Sequence, residues 1–371
     1  MRVLSSLVVT ITLCIPIASC TPTPPPHALP GAVTVTILDV GQGDAILIRS
    51  PEGKTALIDA GQSASIVSKL EQQGVSSLDL VVVSHHHADH YGGMDDVIRA
   101  FRPRFFLASS SSHTSEPYLK LLQLVRDRNI QAISPLEVPR KLELGSVVLT
   151  VFPQAPNDPK EENNNSIGIR VDYGTFSTVL PGDAQTRERR WWAHRVPKLC
   201  ADATVLKLAH HGSRNGTDAR WLDLVRPYVA VASLSKDNDY HHPHPETVDL
   251  LARYEIPLLR TDRDGTVTIR SDGLHWQVFT HPESSAEWPV FEPRGENRSR
   301  GDRPSKPKSS VGLININKAS KTQLRKIPGI GQVLADRIIK GRPYRSVDDL
   351  VRVEGIGEKR LTEIRPYVRV R

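Results

Sequence analysis

Four groups able to bind a divalent metal, His85, His87, Asp89 and His90, fall within six residues at the end of an apolar β-branched run, VVVS followed by HHHADH. Neutral imidazoles and carboxylates suit zinc, manganese or iron(II), and a catalytic site keeps a coordination position open for water. A metal held in this way activates water for hydrolysis, and two together clamp the attacking and leaving oxygens of a phosphodiester. Alternation along an extended segment puts His85, His87 and Asp89 on one face and turns His86 away. His90 then comes from the following turn, where Gly92 and Gly93 allow unusual backbone angles. Structural zinc usually uses thiolates, and this cluster has none. The pattern points to a metallohydrolase with one or two divalent ions, zinc or manganese.

These side chains need elements that deliver them to one rim. LDLVVVS leads into the cluster as a strand, and Asp183 ends the apolar run FSTVL just before a helix-like stretch, which places its carboxylate at a strand's C-terminal end. His210 and His211 end VLKLA in the same way. Two adjacent residues of a regular strand cannot both face one metal, so His211 is the expected ligand and His210 its support. His244, in His-Pro-His-Pro, has a backbone stiffened by Pro243 and Pro245 and is a ligand or a proton donor. Further strands are expected at VTVTILDV, DAILIRS, TALIDA, RFFLAS, SVVLTVFP, SIGIRVDY, YVAVASL, TVTIR and HWQVF. Helices are expected at IVSKLEQQG, PYLKLLQLVRDRN, AQTRERRWWAHR, ARWLDLVRP and PETVDLLARY. Trp191 and Trp192 with Arg187, Arg189 and Arg190 fit a half-buried helix better than a nucleic-acid patch.

The His-x-His-x-Asp-His signature after a strand resembles the metallo-β-lactamase superfamily. LDVGQGDAILI (38–48), ALIDAG (56–61), NNNSIGIRV (163–171), VLPGDA (179–184), VLKLAHHGS (205–213) and HHPHPETV (241–248) follow in the order seen in one branch, the hydrolase-like domain of the DNA-uptake channel protein ComEC. The resemblance covers roughly residues 33–281 and implies an α/β fold, two sheets sandwiched between helices in an αββα order. It implies that Asp183 bridges two metals, with His85, His87, Asp89, His90 and His211 as the other ligands. Asp89, His210 and His244 are then the groups that act in the reaction, and His244 protonates the leaving oxygen. Asp59 lies where the family carries an acidic residue that buttresses the metal loop, and Asp44 is expected to do the same. Many members place another histidine before the bridging aspartate, but here only His113, in the polar loop SSSSHTSE, lies between His90 and Asp183. The ComEC-like branch has asparagine and serine in this region, as Asn163, Asn164, Asn165 and Ser166 do here. Amides and hydroxyls are weak ligands, so the first metal site is expected to be looser than the second.

The ends of the chain bear on location and partner. Residues 1–20, MRVLSSLVVTITLCIPIASC, read as a signal peptide. Ile17 to Cys20 resemble the lipobox cleaved before a lipid-modified cysteine, and residues 21–32 form a proline-rich tether. An exported bacterial lipoprotein is expected, anchored to a membrane through Cys20 and facing the periplasm or cell surface. Cys14 leaves with the signal and Cys20 takes lipid, so only Cys200 remains and no internal disulfide or thiolate cluster is expected in the mature chain. The hydrolase domain, 33–281, must then rely on its own core. Residues 282–310, rich in proline, serine and charge, read as a disordered linker.

The remaining segment, 311–371, carries an internal repeat. Pro328, Gly329, Ile330 and Gly331 and, 26 residues on, Glu354, Gly355, Ile356 and Gly357 each follow a helix-like stretch and precede another. The segment resembles the tandem helix-hairpin-helix of ComEA-type DNA receptors, a small all-α domain. Its glycines let the hairpin backbone approach a phosphate, and the amides opening the next helix donate to it. The expected DNA-facing residues are Gly329, Ile330, Gly331, Gly355, Ile356 and Gly357, with Lys326, Gln332, Lys340, Lys359 and Arg360 near enough to contribute. Such contacts position a duplex and read no sequence. Residues 282–371 hold 20 Lys+Arg against 11 Asp+Glu, a net of +9, which leaves the first 281 residues at −2 of the overall +7. The tail, not the hydrolase, attracts polyanions. The sequence thus describes an exported metal-dependent phosphodiesterase, a sequence-nonspecific DNA nuclease tied to extracellular DNA processing or uptake, with the DNA-uptake machinery as a possible partner. Two alternatives compete with it: a DNA-binding uptake receptor whose hydrolase domain is inactive, and a phosphodiesterase acting on a wall or lipid head group. β-Lactam hydrolysis ranks low, because the DNA module points to phosphate esters.

Overall fold

The structure is a computed structural model that describes residues 31–111, 113–281, 314–325, 327, 330–357, 360–361, 364 and 368–370. The signal-like segment with Cys20, the tether up to residue 30 and the linker 282–310 lie outside the described residues.

One sheet is built from β1 (Val33–Ile37), β2 (Ile46–Arg49), β3 (Thr55–Ile58), β4 (Leu80–Val83), β5 (Phe105–Ala108), β6 (Gln131–Ile133), β14 (Thr266–Ser271) and β15 (Trp276–His281), side by side in the order β15-β14-β1-β2-β3-β4-β5-β6. The second holds β7 (Arg140–Leu144), β8 (Val147–Val151), β9 (Ile169–Tyr173), β10 (Phe176–Leu180), β11 (Val205–Lys207), β12 (Val229–Ala232) and β13 (Leu258–Arg260), in the order β13-β12-β11-β10-β9-β8-β7. Each sheet begins as antiparallel hairpins and becomes parallel, at β3–β4 in the first and β10–β11 in the second. Parallel strands need crossovers, and helices supply them. In the first sheet these are α1 (Ser65–Gln72), α2 (Ala88–Tyr91), α3 (Met94–Phe101) and α4 (Glu116–Asp127). In the second they are α5 (Thr186–Arg195), α6 (Pro197–Cys200), α7 (Ala219–Val225) and α8 (Pro245–Arg253), with α9 (Thr261–Asp264) after β13.

Period-two alternation sorts the strand residues into layers. Leu80 and Val82 of β4 face the other sheet with Val205, Val229 and Val231. Val81 and Val83 turn outward against Ile66, Val97 and Ile98 of α1 and α3. On the far side Ala230 and Ala232 meet Trp192, Trp221 and Leu251 of α5, α7 and α8. The order helix, sheet, sheet, helix is the expected αββα sandwich.

Three short strands escape the sequence pattern. β6 and β13 have three residues each, and β7, RKLEL, alternates charged with apolar residues and is half exposed. All three lie at or next to a sheet edge, where burial leaves little signature. Helix α3 also escapes it, although Met94, Val97, Ile98 and Phe101 form a buried stripe, because it follows the histidine cluster directly. The arginine-rich helix α5 is half-buried, as expected, with Arg187 and Arg190 exposed. Trp192 and Arg189 are buried, Trp192 Nε1 donates to the Pro153 carbonyl at 3.0 Å, and the Phe152 ring stands edge-on to it at 5.2 Å.

The tail has its own core, in which Ile316, Leu324, Ala335, Ile338, Leu350 and Ile364 are buried together. Its elements are α10 (Lys321–Leu324), opened by a Ser320–Gln323 capping box, α11 (Gln332–Lys340) and a 3₁₀ turn at Asp348–Arg352. Apart from these helical elements, β16 (Ile314–Asn315) and β17 (Val368–Arg369) pair in parallel and tie the ends of the segment together. Among the described residues no helix is long and apolar enough to cross a membrane.

Trp192→Ala removes the largest fully buried side chain of the outer layer and is expected to lower stability by about 3–5 kcal/mol, read from the urea unfolding midpoint at unchanged m.

Candidate metal centre

β4 ends at Val83, and its last turn outward is made by Ser84, His85 and His86 before helix α2 begins at Ala88. The segment is therefore extended only as far as His87. Strand alternation accounts for His85 and for His86, which turns away to pair with Glu162 at 3.0 Å under the Tyr118 ring. Asp89 and His90 are instead presented by the first turn of α2, a correction to the alternation argument. The glycines act differently from expectation too. Gly92 and Gly93 have ordinary φ angles of −58° and −92°. Their role is space: a Cβ on Gly92 would lie 2.6 Å from the Ala88 carbonyl oxygen, and one on Gly93 2.6 Å from that of Ala60. Gly43 (φ +120°) has both needs, since its Cβ would drive into the Asp89 carbonyl.

Three further strand ends face this rim. Asp183 follows β10, Asp59 follows β3, and His211 lies just beyond β11. His210 and His211 are not on a strand, because β11 stops at Lys207. Both sit in the left-handed region (φ 50° and 54°), followed by Gly212 at φ 86°. Each such non-glycine residue costs on the order of 1 kcal/mol or more and persists only where its surroundings impose it. The kinked turn separates the two rings. His211 points to the cluster, while His210 Nδ1 lies 3.3 Å from Asn215 Oδ1.

The resulting geometry is tight. His90 Nε2 and His211 Nε2 lie 3.4 and 3.3 Å from Asp183 Oδ2, and His211 Nε2 lies 3.3 Å from Asp89 Oδ2. His85 Nε2 is 3.9 Å from Asp183 Oδ2 and 3.1 Å from His87 Nδ1. Each inner histidine is oriented from behind. His90 Nδ1 donates to Asp59 Oδ2 at 2.7 Å, and His211 Nδ1 donates to the Ser233 carbonyl at 2.8 Å. Asp59 also accepts from the Ser84 amide and hydroxyl, each at 2.7 Å. Such contacts fix the tautomer and leave Nε2 free as a ligand.

A divalent ion fits the donor set. His90 Nε2, His211 Nε2, Asp183 Oδ1 and Asp44 Oδ1 are buried and lack a hydrogen-bond partner, an expensive condition unless something else satisfies them. Ligand atoms of His85, His90 and Asp183, of Asp89, His90 and His211, and of Asp44, Asp183 and His211 each lie within 4.8 Å of one another. Asp59 and Asp44 both form such a group with His90, so the two residues expected as supports stand at ligand distance as well.

Opposite charges within the cluster offset one another in part. Burial by itself would discharge His90 and His211, but Asp183, with Asp59 beside His90 and Asp44 and Asp89 beside His211, outweighs it and holds both well above the usual histidine range. Burial opposes ionisation of Asp183 too, yet His211 and His90 hold it well below the carboxylate range. His85, buried beside His90, is pushed well below.

Two participants were missed. Lys207, wholly buried, forms an ion pair with Asp44 and lies 3.8 Å from Asp183 Oδ1. Its signal was a lone cation inside the apolar strand VLKLA. His242, 7% exposed, has its ring 5.2 Å from that of His210 and 6.2 Å from that of His211. Nothing in HHPHP distinguished it from its neighbours. His244 joins none of the ligand groups. As the residue capping α8, it accepts at Nδ1 from the Arg214 amide at 3.0 Å, with the Ser213 hydroxyl at 3.3 Å. The asparagine segment is mostly occupied with itself: Asn164 and Asn165 bond Asp158, and Ser166 Oγ accepts from the Asp183 amide at 3.1 Å and donates to the Asn163 carbonyl. His113 is oriented by Ser115, next to His86.

In the tail, Ile330 and Ile356, expected to face DNA, are buried in the core and anchor the hairpins from within. Gly331 and Gly357 are exposed, and a Cβ on either would meet nothing within 4 Å. Gln332 and Lys340 are exposed, and Arg360 donates to the Gly355 carbonyl at 2.7 Å. Lys326, Gly329 and Lys359 lie outside the described residues.

The profile of the Metallo-beta-lactamase superfamily matches residues 38–236, over half of the chain, and that of the helix-hairpin-helix motif matches residues 309–369. ComE operon protein 3 of Bacillus subtilis (strain 168) is 30% identical over 258 residues, 64% of this chain and 33% of its own length. Competence protein ComA of Neisseria gonorrhoeae is 28% identical over 256 residues, 65% of this chain and 33% of its own. The chain thus spans about a third of these relatives. A deoxyribonuclease of Thioalkalivibrio sp. (strain K90mix) is 44% identical over 55 residues, 15% of each chain.

Asp59→Asn removes the acceptor that orients His90 and is expected to weaken metal affinity by about 10–100-fold in a chelator-competition titration. Because His90 and His211 are held above their ordinary range, protons compete with the ion for Nε2 below that raised range. Affinity should therefore rise as pH is raised, with proton release visible by calorimetry in buffers of different ionisation enthalpy.

Proposed function

The chain belongs to the metallo-beta-lactamase superfamily, and from that premise we propose that it is an exported metal-dependent phosphodiesterase that cleaves DNA without sequence preference. It is a ComEC-like metallohydrolase domain followed by a helix-hairpin-helix domain. The observation that carries the proposal is the convergence of Asp89, His90, Asp183 and His211, with unpartnered Nε2 atoms on both histidines. These four would hold one ion, and His85, His87 and Asp183 a second, looser one, since Asn164, Asn165 and Ser166 are engaged elsewhere. When bound, a divalent ion supplies Lewis-acid activation of water and of a phosphoryl oxygen. Asp59 and the Ser233 carbonyl keep both imidazoles in register, and Lys207 holds Asp44 and faces Asp183. His244 is fixed by the Arg214 amide in the tautomer that carries its proton on Nε2, the atom from which a leaving oxygen would be protonated.

The substrate follows from the tail. Gly331 and Gly357 open hairpin turns where absence of a side chain serves no internal contact, which suits close approach of a phosphate to backbone amides. A relative named as a competence protein and another named as a deoxyribonuclease support DNA as substrate. Tethered binding would raise the local concentration of DNA at the hydrolase domain. The proposal includes lipid attachment at Cys20 and an outward-facing envelope location, within reach of DNA-uptake machinery.

The test uses the mature chain with plasmid, single-stranded DNA and a glycerophosphodiester, each with manganese or zinc and each with chelator. Chelator-sensitive DNA cleavage that falls to background in Asp89→Ala with Asp183→Ala is expected, whereas cleavage surviving both substitutions would refute the mechanism. DNA binding without cleavage would favour the receptor alternative, and hydrolysis of the glycerophosphodiester alone the head-group one. Gly331→Val with Gly357→Val should weaken duplex binding about tenfold through lost amide–phosphate bonds, with the thermal midpoint unchanged.

A further inference from the structure

Tyr240 is 62% exposed, the one aromatic among the large exposed hydrophobic side chains of the described residues. A single exposed apolar group needs no explanation by itself. Three features set this one apart. Its ring lies nearly parallel to that of His242 in an offset stack, with centroids 5.7 Å apart and planes 20° from parallel, so part of one face is covered. The loop carrying it is stapled by Asn238, whose amide donates to the Ser235 and His242 carbonyls at 2.9 Å and whose oxygen accepts from the His242 amide at 2.7 Å. An exposed ring held this firmly has given up its conformational freedom before any ligand arrives. The stack also leads inward, because His242 lies 5.2 Å from His210 and 6.2 Å from the inner histidine His211.

Arg214 and Lys236 are exposed on the same two loops, as are Asp237 and Asp239, and His244 stands beside Arg214 and His241. Arg214 also pairs with Glu246 at 3.1 Å. Charge does not mark the patch, but a ring that offers one free face suits a flat base, since every base has a face to stack.

We propose that the free face of Tyr240, backed by His242, is a stacking subsite for an unpaired nucleobase a nucleotide or two from the scissile phosphate. The inference rests on the nuclease reading above and deepens it. Bases inside a duplex already stack on each other and must be pulled out before a side chain can cover them. The hydrolase site therefore takes single-stranded or frayed nucleic acid in preference to an intact duplex, while the tail holds either nearby.

The test compares KM for a short single strand with KM for the same strand made abasic around the cleaved bond, using the full chain and manganese. Wild type should favour the base-bearing strand about tenfold, within the range of one base–aromatic stack. Tyr240→Phe should keep that preference and Tyr240→Ala should lose it. If Tyr240→Ala discriminates as wild type does, or wild type shows no preference between the two strands, the inference is wrong while the nuclease reading stands. If wild type cleaves no nucleic acid at all, the nuclease reading fails and takes the inference with it.

Discussion

Four carboxylates, those of Asp44, Asp59, Asp89 and Asp183, are gathered at one rim of a sandwich where water is largely excluded. Bringing like charges out of water together costs several kcal/mol per ion unless each is matched. Within the chain, His90, His211 and Lys207 match them. Much of the local architecture reads as a consequence of that demand. Lys207 is wholly buried because it stands between Asp44 and Asp183. Asp59 adopts a left-handed backbone (φ 61°) while its carboxylate accepts from Ser84 and His90 together. The rim is a cation site whose built-in cations only partly satisfy it, as the unpartnered carboxylate and imidazole atoms show.

The sandwich meets this demand by ending strands at one place. β3, β4, β10 and β11 each run into the rim, and a side chain one to four residues beyond each strand, Asp59, His85, Asp183 and His211, enters the cluster. Loops then have to pack closer than side chains allow. Gly43, Gly92 and Gly93 mark three such approaches, in each of which a Cβ would collide with a neighbouring carbonyl. The left-handed pair His210 and His211 is another product of the same crowding, since it aims one imidazole inward and sends the other to Asn215. Outside the inner cluster the histidines grade outward, through His210, His242 and His244, to the exposed ring of Tyr240.

The tail solves a different problem with different means. Its core is small and apolar, its buried isoleucines hold the hairpins in shape, and its exposed glycines present bare backbone. Positive charge is concentrated there and in the segment before it, while the first 281 residues are slightly acidic. Positive charge and the metal-binding cluster thus lie on separate parts of the chain.

The sequence by itself determined the layered fold and which metal-binding residue types gather at the rim. His85, His90, Asp183 and His211 were legible because metal-binding types recur directly after apolar runs, and alternation within those runs specified which face is buried. Edge strands β6, β7 and β13 were not legible, since half-exposed pairing leaves no apolar pattern. What only tertiary structure decided was direction. That Asp89 comes from a helix, that His211 turns in while His244 fixes a loop, that Lys207 sits among carboxylates and that His242 bridges outward all depend on contacts between residues far apart in sequence. Residue type and spacing state which groups are present, but burial, tautomer and the partner behind each ring are set by the two sheets meeting.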